Sequence, residues 1–405
     1  MMKRRVLLSA AATGLLATPM IWRQAGAQTV VGVTKTEIKI GHTIPYSGPA
    51  SAYGSGGKGH TGFWKMINSQ GGVNGRKINF ISLDDGYSPP KTVEQVRRLV
   101  EQDEVACLFN PLGTPNNSAI QKYVNQKKVP TLFVATGADK WGDYKNFPWI
   151  MGWAPSYQIE AQIYANHISK IKPNAKVALI YQNDDFGKDY PLGLKAAWGA
   201  QYDKFIVKAL TYEVTDATID SQVVSLRDSG ADTLITVATP KFAAQMIRKV
   251  YDIGWKPLHF LSNVSASAGT VLIPAGAEKG IGIITATYGK DPTDPTWAND
   301  KGMNEWRAFM KQNLPEADML DTSYVYSYGV CLTMLQTLRQ CGDDLSRENI
   351  MRQAANLKDL DIPTVLPGIK VNTSPTNYHP MRHMQLSNWT GTSWSLFGDL
   401  IEGAG

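Results

Sequence analysis

Short apolar runs rich in β-branched residues alternate with stretches whose apolar positions recur every three to four residues. Strand-type runs lie at 37–44, 77–83, 105–109, 130–134, 176–181, 205–212, 232–237, 257–261 and 281–287. Helix-type periodicity fills the intervals near 52–69, 90–102, 116–127, 157–171, 188–200, 218–229, 240–253 and 266–273. Such alternation predicts an α/β fold with doubly wound parallel sheets, because each helix returns the chain to the same edge through a right-handed crossover. The pattern breaks at Phe147-Pro148-Trp149-Ile150-Met151-Gly152-Trp153, a short extended stretch, and then restarts. Beyond 287 it is helical (296–312, 320–340, 346–356), and from Val365 to Leu400 it turns β-like and polar-aromatic. Two α/β lobes follow, joined by chain crossings near 148–154, 282–290 and 363–372. Lobe 1 takes 28–150 with 285–362, and lobe 2 takes 151–284 with 363–405. The length agrees, since single cores stop growing beyond ~250–300 residues.

The N-terminus changes the picture of where this fold works. Met1 to Gln28 runs basic (Lys3, Arg4, Arg5), then apolar (Val6 to Ile21), then to Ala25-Gly26-Ala27. That is the layout of an export signal, with cleavage expected after Ala27. Arg4-Arg5 admits the twin-arginine route as well as the general one. No later stretch has the ~18 unbroken apolar residues of a membrane span, so a soluble periplasmic protein is expected. Loss of Lys3, Arg4, Arg5 and Arg23 with the signal lowers the formal charge from +6 to +2. That surplus is too small to argue for nucleic acid or an anionic membrane. Three cysteines, Cys107, Cys331 and Cys341, form no C-x-x-C. Cys331 and Cys341 share one helical segment about 15 Å apart by rise, too far for a disulfide unless the helix ends early.

Gly54, Gly56 and Gly59 have the G-x-G-x-x-G spacing, and the following strand ends in Asp84-Asp85. A dinucleotide fingerprint needs its first glycine directly after the strand. Here Pro45 and Pro49 intervene, and Gly54 comes ten residues after Ile44. Tyr53, His60, Trp64 and Ile67 form a helical stripe that already contains the glycines. These therefore serve close approach of a neighbouring strand or ligand inside a helix, and PYSGPASAYG is a strand-to-helix loop on the carboxyl edge of a sheet. A phosphate-cradling loop also fails, because Gly59 stands where Ser or Thr should follow Lys58. No cofactor is expected.

Pro45-Tyr-Ser-Gly48 with Ala52-Tyr-Gly54, Gly71-Gly-Val-Asn-Gly75-Arg76, Val129-Pro130 and Asn183-Asp-Asp-Phe-Gly187 follow one another in order. Together they resemble the leucine/isoleucine/valine-type periplasmic solute-binding proteins of ATP-binding-cassette importers, from about 36 to 400. The resemblance implies two Rossmann-like lobes joined by a three-stranded hinge, with a small ligand clamped between them. It also implies a membrane permease as partner and action as a monomer.

The carboxyl ends of the strands should supply the pocket. After 105–109 comes Asn110-Pro-Leu-Gly113-Thr114, where a hydroxyl and unpaired N–H groups at a helix N-terminus make an anion site. Thr114 also suits the N-cap of that helix. By resemblance, Thr114 binds the ligand carboxylate, and the loop Ala135-Thr136-Gly137-Ala138 adds contacts through Thr136 and Ala138. From the second lobe the resemblance brings Phe186 as an aromatic closing over the ligand. Further contacts are expected after strand 232–237, at Thr239, and after strand 257–261, at Val264. Amino-acid-binding relatives place an acid in this last loop to hold the ligand ammonium; here none occurs between His259 and Ala277. A buried ammonium without a counter-charge is strongly disfavoured. The departure points to a carboxylate with an uncharged body, an aromatic acid first and a branched aliphatic acid second. Tyr46, Tyr53, Trp153, Phe186 and Phe242 offer rings for a flat body.

Enzymatic patterns are missing. Ser265-Ala-Ser267-Ala-Gly269 lacks the first glycine of G-x-S-x-G, and Pro380 spoils His379 and His383 as a helical metal pair. The rival functions are a branched-chain amino-acid receptor, a ligand-presenting sensor domain and an exported enzyme acting on an aromatic acid.

Overall fold

The computed structural model describes residues 30–403; the expected export signal at 1–27 lies outside them. Two sheets organise the chain. The first holds β1 (Glu37–Ile44), β2 (Lys77–Asp84), β3 (Cys107–Phe109), β4 (Thr131–Val134) and β5 (Ile150–Gly152), in the order β2-β1-β3-β4-β5. All its pairs are parallel. Intervening helices α1 (Gly54–Ser69), α2 (Pro89–Glu101) and α3 (Thr114–Gln126) supply the crossovers, as the alternation requires.

The second sheet begins after α4 (Tyr157–Ile171). It comprises β6 (Val177–Gln182), β7 (Ile206–Tyr212), β8 (Thr233–Val237), β9 (Leu258–Leu261), β10 (Ile284–Thr287), β11 (His383–Trp389) and β12 (Trp394–Glu402). Their order is β12-β11-β10-β9-β8-β6-β7. Helices α5 (Asp185–Trp198), α6 (Asp220–Asp228) and α7 (Pro240–Asp252) connect the parallel part. The β-like tail makes this sheet mixed: β10–β11 and β11–β12 are antiparallel. The tail returns as a hairpin through Thr390–Ser393, and a hairpin can only pair antiparallel.

After β10 the chain rejoins the first lobe through α8 (Lys301–Asn313), α9 (Thr322–Cys341) and α10 (Arg347–Ala354). Phe63, Trp64, Phe309, Tyr328 and Met334 meet in its main core. Val365, Ile369, Val371, Tyr378 and Met381 pack in that same core, so the hand-over expected at 363 suits a position nearer 382. The crossings themselves lie together. Lys290 N–H donates to the Thr364 carbonyl at 2.9 Å, Leu366 N–H to Tyr288 at 2.9 Å, and the Trp153 ring sits 5.9 Å from Tyr288.

The glycine motif finds its explanation in this packing. A Cβ on Gly59 would stand 2.7 Å from Ser327 Cβ on α9, and Ser327 Oγ donates to the Gly56 carbonyl at 2.9 Å. Gly59 thus admits a neighbouring helix, while a Cβ on Gly56 would stand 3.4 Å from Ile44 of β1, the close strand approach anticipated. The three cysteines are buried thiols with no disulfide; Cys341 Sγ donates to the Thr337 carbonyl one turn back.

Candidate ligand-binding site

A cavity of about 200 Å³ lies where the carboxyl edges of the two sheets face each other, smaller than the ~300–1,000 Å³ usual for drug-sized ligands. Tyr53, Thr114, Thr136, Phe186, Thr239 and Val264 all border it. The lobes are closed across it. Tyr53 Oη donates to the Val264 carbonyl at 3.1 Å, and Gln182 Nε2 donates to Tyr87 Oη at 3.4 Å. At the rim, Lys140 Nζ pairs with Asp185 Oδ2 at 3.2 Å, and Gly269 N–H reaches the Leu320 carbonyl at 3.0 Å.

On the first lobe, the loop from β3 into α3 is built under strain. Asn110 has φ +54° and its Nδ2 donates to the Phe133 carbonyl and, at 2.8 Å, to Tyr326 Oη. Gly113 has φ +102°, and a Cβ there would meet Asn116 Oδ1 at 2.5 Å and Tyr87 at 2.8 Å. Only glycine fits that position. Gly113, not Thr114, occupies the N-cap of α3, so the expected capping role of Thr114 is corrected. Its hydroxyl instead meets Thr136 Oγ1 at 2.5 Å, which also accepts from Ala138 N–H (3.2 Å) and Trp141 Nε1 (3.3 Å). Ala138 does not border the cavity: its amide is turned back onto Thr136. The two hydroxyls stand beside the first turn of α3, where N–H groups lack intrahelical partners and the helix dipole favours negative charge.

The second lobe faces this with Phe186, Thr239 and the loop carrying Asn263 and Val264. Asp184 caps α5 by accepting from the Phe186 and Gly187 amides at 3.0 and 3.3 Å, which sets Phe186 at the helix start. Phe186 packs its ring 5.0 Å from Tyr157. Thr239 N–H donates to Tyr212 Oη at 3.0 Å, while its Oγ1 has no partner despite being 1% exposed. That hydroxyl lies on the cavity wall, a buried polar group with no protein partner. Glu160, fully buried on α4, holds the Asn263 loop: it accepts from Asn263 N–H at 2.8 Å and from Asn263 Nδ2, Tyr164 Oη (2.5 Å) and Tyr190 Oη (2.8 Å). Burial pushes the Glu160 carboxyl up to about 7, against these bonds.

Of the rings expected to stack, Tyr53, Trp153 and Phe186 border the cavity. Tyr46 does not; its Oη is 2.6 Å from Ser82 Oγ. Nor does Phe242, whose ring packs 4.3 Å from Tyr212 in a core of the second lobe. Sequence reasoning passed over Tyr87, Tyr157, Tyr288 and Tyr326, which also border it. Tyr87 follows β2 at its carboxyl end, so the rule applied to the other strands would have found it. It adopts φ +59°, held by Asp85 accepting its amide at 3.0 Å. Tyr326 sits inside α9 and carries no sequence signal. Along one wall the contacts run from Asn110 to Tyr326, then to Trp153 at 5.2 Å and Tyr288 at 5.9 Å. Past Tyr288, at the hinge, stand Lys290, Asp291 and Asp294. No set of three or more candidate metal ligands occurs among the described residues; His379 and His383 lie against Asp139 (3.8 Å) and Glu402 (3.9 Å), respectively.

A family model described as periplasmic binding protein matches residues 37–393. The Leu/Ile/Val-binding protein homolog 7 of Brucella abortus (strain 2308) is 25% identical over 291 residues, 69% of this chain and 70% of that protein. A branched chain amino acid ABC transporter from Thermus thermophilus with bound valine has a TM-score of 0.82 at 15% identity, covering 92% of this chain and 98% of that one. An ABC transporter solute binding protein from R. palustris, in complex with 4-hydroxybenzoate, has a TM-score of 0.76 at 16% identity, covering 91% and 97%. At these identities the two structures bear on the fold alone.

Proposed function

The chain belongs to the periplasmic binding protein family, and from that premise we propose that it is an importer receptor that closes on a small carboxylate with an uncharged, aromatic body. One observation carries this reading. Thr114 and Thr136 converge at a helix N-terminus on one wall, while the facing loop Ser262–Ser265 presents Val264 and no acid. A carboxylate at the hydroxyl pair has donors and a favourable dipole. An α-ammonium one carbon away has no adjacent counter-charge, because Asp291 and Asp294 stand at the hinge end, beyond the row Tyr326–Trp153–Tyr288. Rings of Tyr53, Tyr157 and Phe186 suit a flat body. In this reading Tyr53, Thr114, Thr136, Phe186, Thr239 and Val264 touch the ligand, a membrane permease accepts it, and the receptor works as a monomer without a cofactor. The export signal at 1–27 delivers it to the periplasm; no helix among the described residues is long and apolar enough to cross a membrane.

The Leu/Ile/Val-binding relatives favour a second reading, a branched-chain amino acid. A thermal-shift panel separates the two. Benzoates, cinnamates and phenylacetates are compared with branched aliphatic acids, leucine, valine and phenylalanine. A ligand at ~100 times its Kd adds ~2.7 kcal/mol of folded stability, a shift of several degrees. Amine-free aromatic acids should shift Tm most. A shift with leucine or valine alone would favour the second reading, and turnover of a bound acid would make the protein an enzyme.

A further inference from the structure

The cavity does not stop at the hydroxyl pair. It runs past Trp153 and Tyr288 to a hinge-end chamber whose floor is one face of the second sheet: Thr285 on β10, Ser387 paired with it on β11, and Leu396 beside that on β12. Its wall is the segment Gly289–Trp297, tied to β12 by Trp394 N–H donating to Thr293 Oγ1 at 3.1 Å. Two polar atoms here have no partner although their residues are more than nine-tenths buried: Ser387 Oγ (2% exposed) and Trp297 Nε1 (8%). Asp291 accepts from Thr293 N–H (2.8 Å) and Thr293 Oγ1 (2.5 Å) through Oδ1, leaving Oδ2 without a protein donor. Lys290 does not neutralise it, because its ammonium is taken by Asp300 at 2.8 Å and the Pro363 carbonyl at 2.9 Å.

We propose that this chamber is a second recognition subsite that reads a hydroxyl on the end of the ligand remote from its carboxylate. The inference rests on the carboxylate reading above and narrows it to hydroxylated acids. The choice of group follows from the donor inventory. Trp297 Nε1 can only donate, Asp291 Oδ2 ionised can only accept, and Ser387 Oγ can do both. A hydroxyl satisfies all three kinds of partner. An ammonium leaves Trp297 unpaired, and a second carboxylate meets the charge of Asp291. Between the two polar ends the wall is aromatic, so the ligand is polar at both ends and flat and apolar between them.

The test is calorimetric titration of the mature chain with matched pairs: 3-phenylpropanoate against 3-(4-hydroxyphenyl)propanoate, and cinnamate against 4-hydroxycinnamate. A third arm uses 3-(4-aminomethylphenyl)propanoate, which carries a remote ammonium. The hydroxylated acid should bind about tenfold or more tightly than its partner in at least one pair, the range for a hydrogen bond to a charged group. Asp291→Asn and Ser387→Ala should each narrow that ratio. Should Asp291→Asn fail to fold, Ser387→Ala carries the decision. Equal affinities within both pairs, a ratio unmoved by either variant, or preference for the remote ammonium would overturn the subsite and leave the carboxylate reading standing. If no amine-free acid binds while leucine or valine does, the reading beneath it falls as well.

Discussion

Glu160→Ala should cost this protein about 3–5 kcal/mol of stability, which makes it the most damaging single change expected at the cleft. The carboxylate takes four hydrogen bonds, from Tyr164, Tyr190 and twice from Asn263. Tyr164 keeps an alternative acceptor in the Leu261 carbonyl at 2.8 Å. Tyr190 Oη and both Asn263 donors do not, and each buried donor left unpaired costs ~1–3 kcal/mol before relaxation. Urea unfolding should show the loss as a lower midpoint with an unchanged slope. Ligand affinity should fall too, because the loop presenting Val264 loses its anchor. A variant that unfolds and binds like the parent would remove Glu160 from this role. The same residue sets a pH dependence. Its folded value of about 7 exceeds the ordinary 4.5, so between those values the native chain holds a proton that the unfolded chain has released. The stabilisation is complete below pH 4.5 and lost as pH rises through 7, roughly 3 kcal/mol in all. Asp189 and Asp291, each pushed by burial to about 6, act in the same direction up to pH 6. Glu160→Gln should therefore flatten the slope from pH 4.5 to 7 and leave least of it between pH 6 and 7, where Glu160 acts nearly alone.

The second large effect is on binding. Thr114→Ala should weaken a carboxylate ligand by about 1.5–3 kcal/mol, or roughly 10- to 150-fold in Kd. Stability should fall by only about 0.5–1.5 kcal/mol, the net worth of one hydrogen bond. Thr114 does not cap its helix, and its partner Thr136 Oγ1 still accepts from Ala138 and Trp141. Calorimetry against urea unfolding separates the two quantities. Equal losses in both would make Thr114 a structural residue, and unchanged affinity would take it out of the site.

Most of the fold was legible because a parallel sheet with crossover helices writes its period directly into the chain. Strands β1, β2 and β6 to β10 lie within a few residues of the apolar runs that announce them. The tail was harder. Val365 to Met381 scatters its apolar residues among polar ones without a period, and only its contacts show that it belongs to the first core. The antiparallel pairing of β11 with β10 depends on where the hairpin docks, which alternation does not encode. At the site, strand-end loops were legible because ligands of such sheets bind there. Side-chain direction was not: Phe242 turns into the second lobe's core, and the Ala138 amide is captured by its neighbour Thr136. Tyr288 and Tyr326 reach the cavity from the hinge and from the second turn of α9, through packing between segments far apart in sequence.

On the function proposed, the cleft selects a carboxylate without an adjacent ammonium. Titration of the mature chain with 3-phenylpropanoate and with phenylalanine tests it directly, since the two differ only by the α-ammonium. Binding of the amine-free acid at least tenfold more tightly, with the preference narrowed or reversed in Val264→Glu, is the expected result. Tighter binding of phenylalanine by the parent chain, with 3-phenylpropanoate silent, would contradict the account and assign the ammonium a counter-charge elsewhere in the cleft.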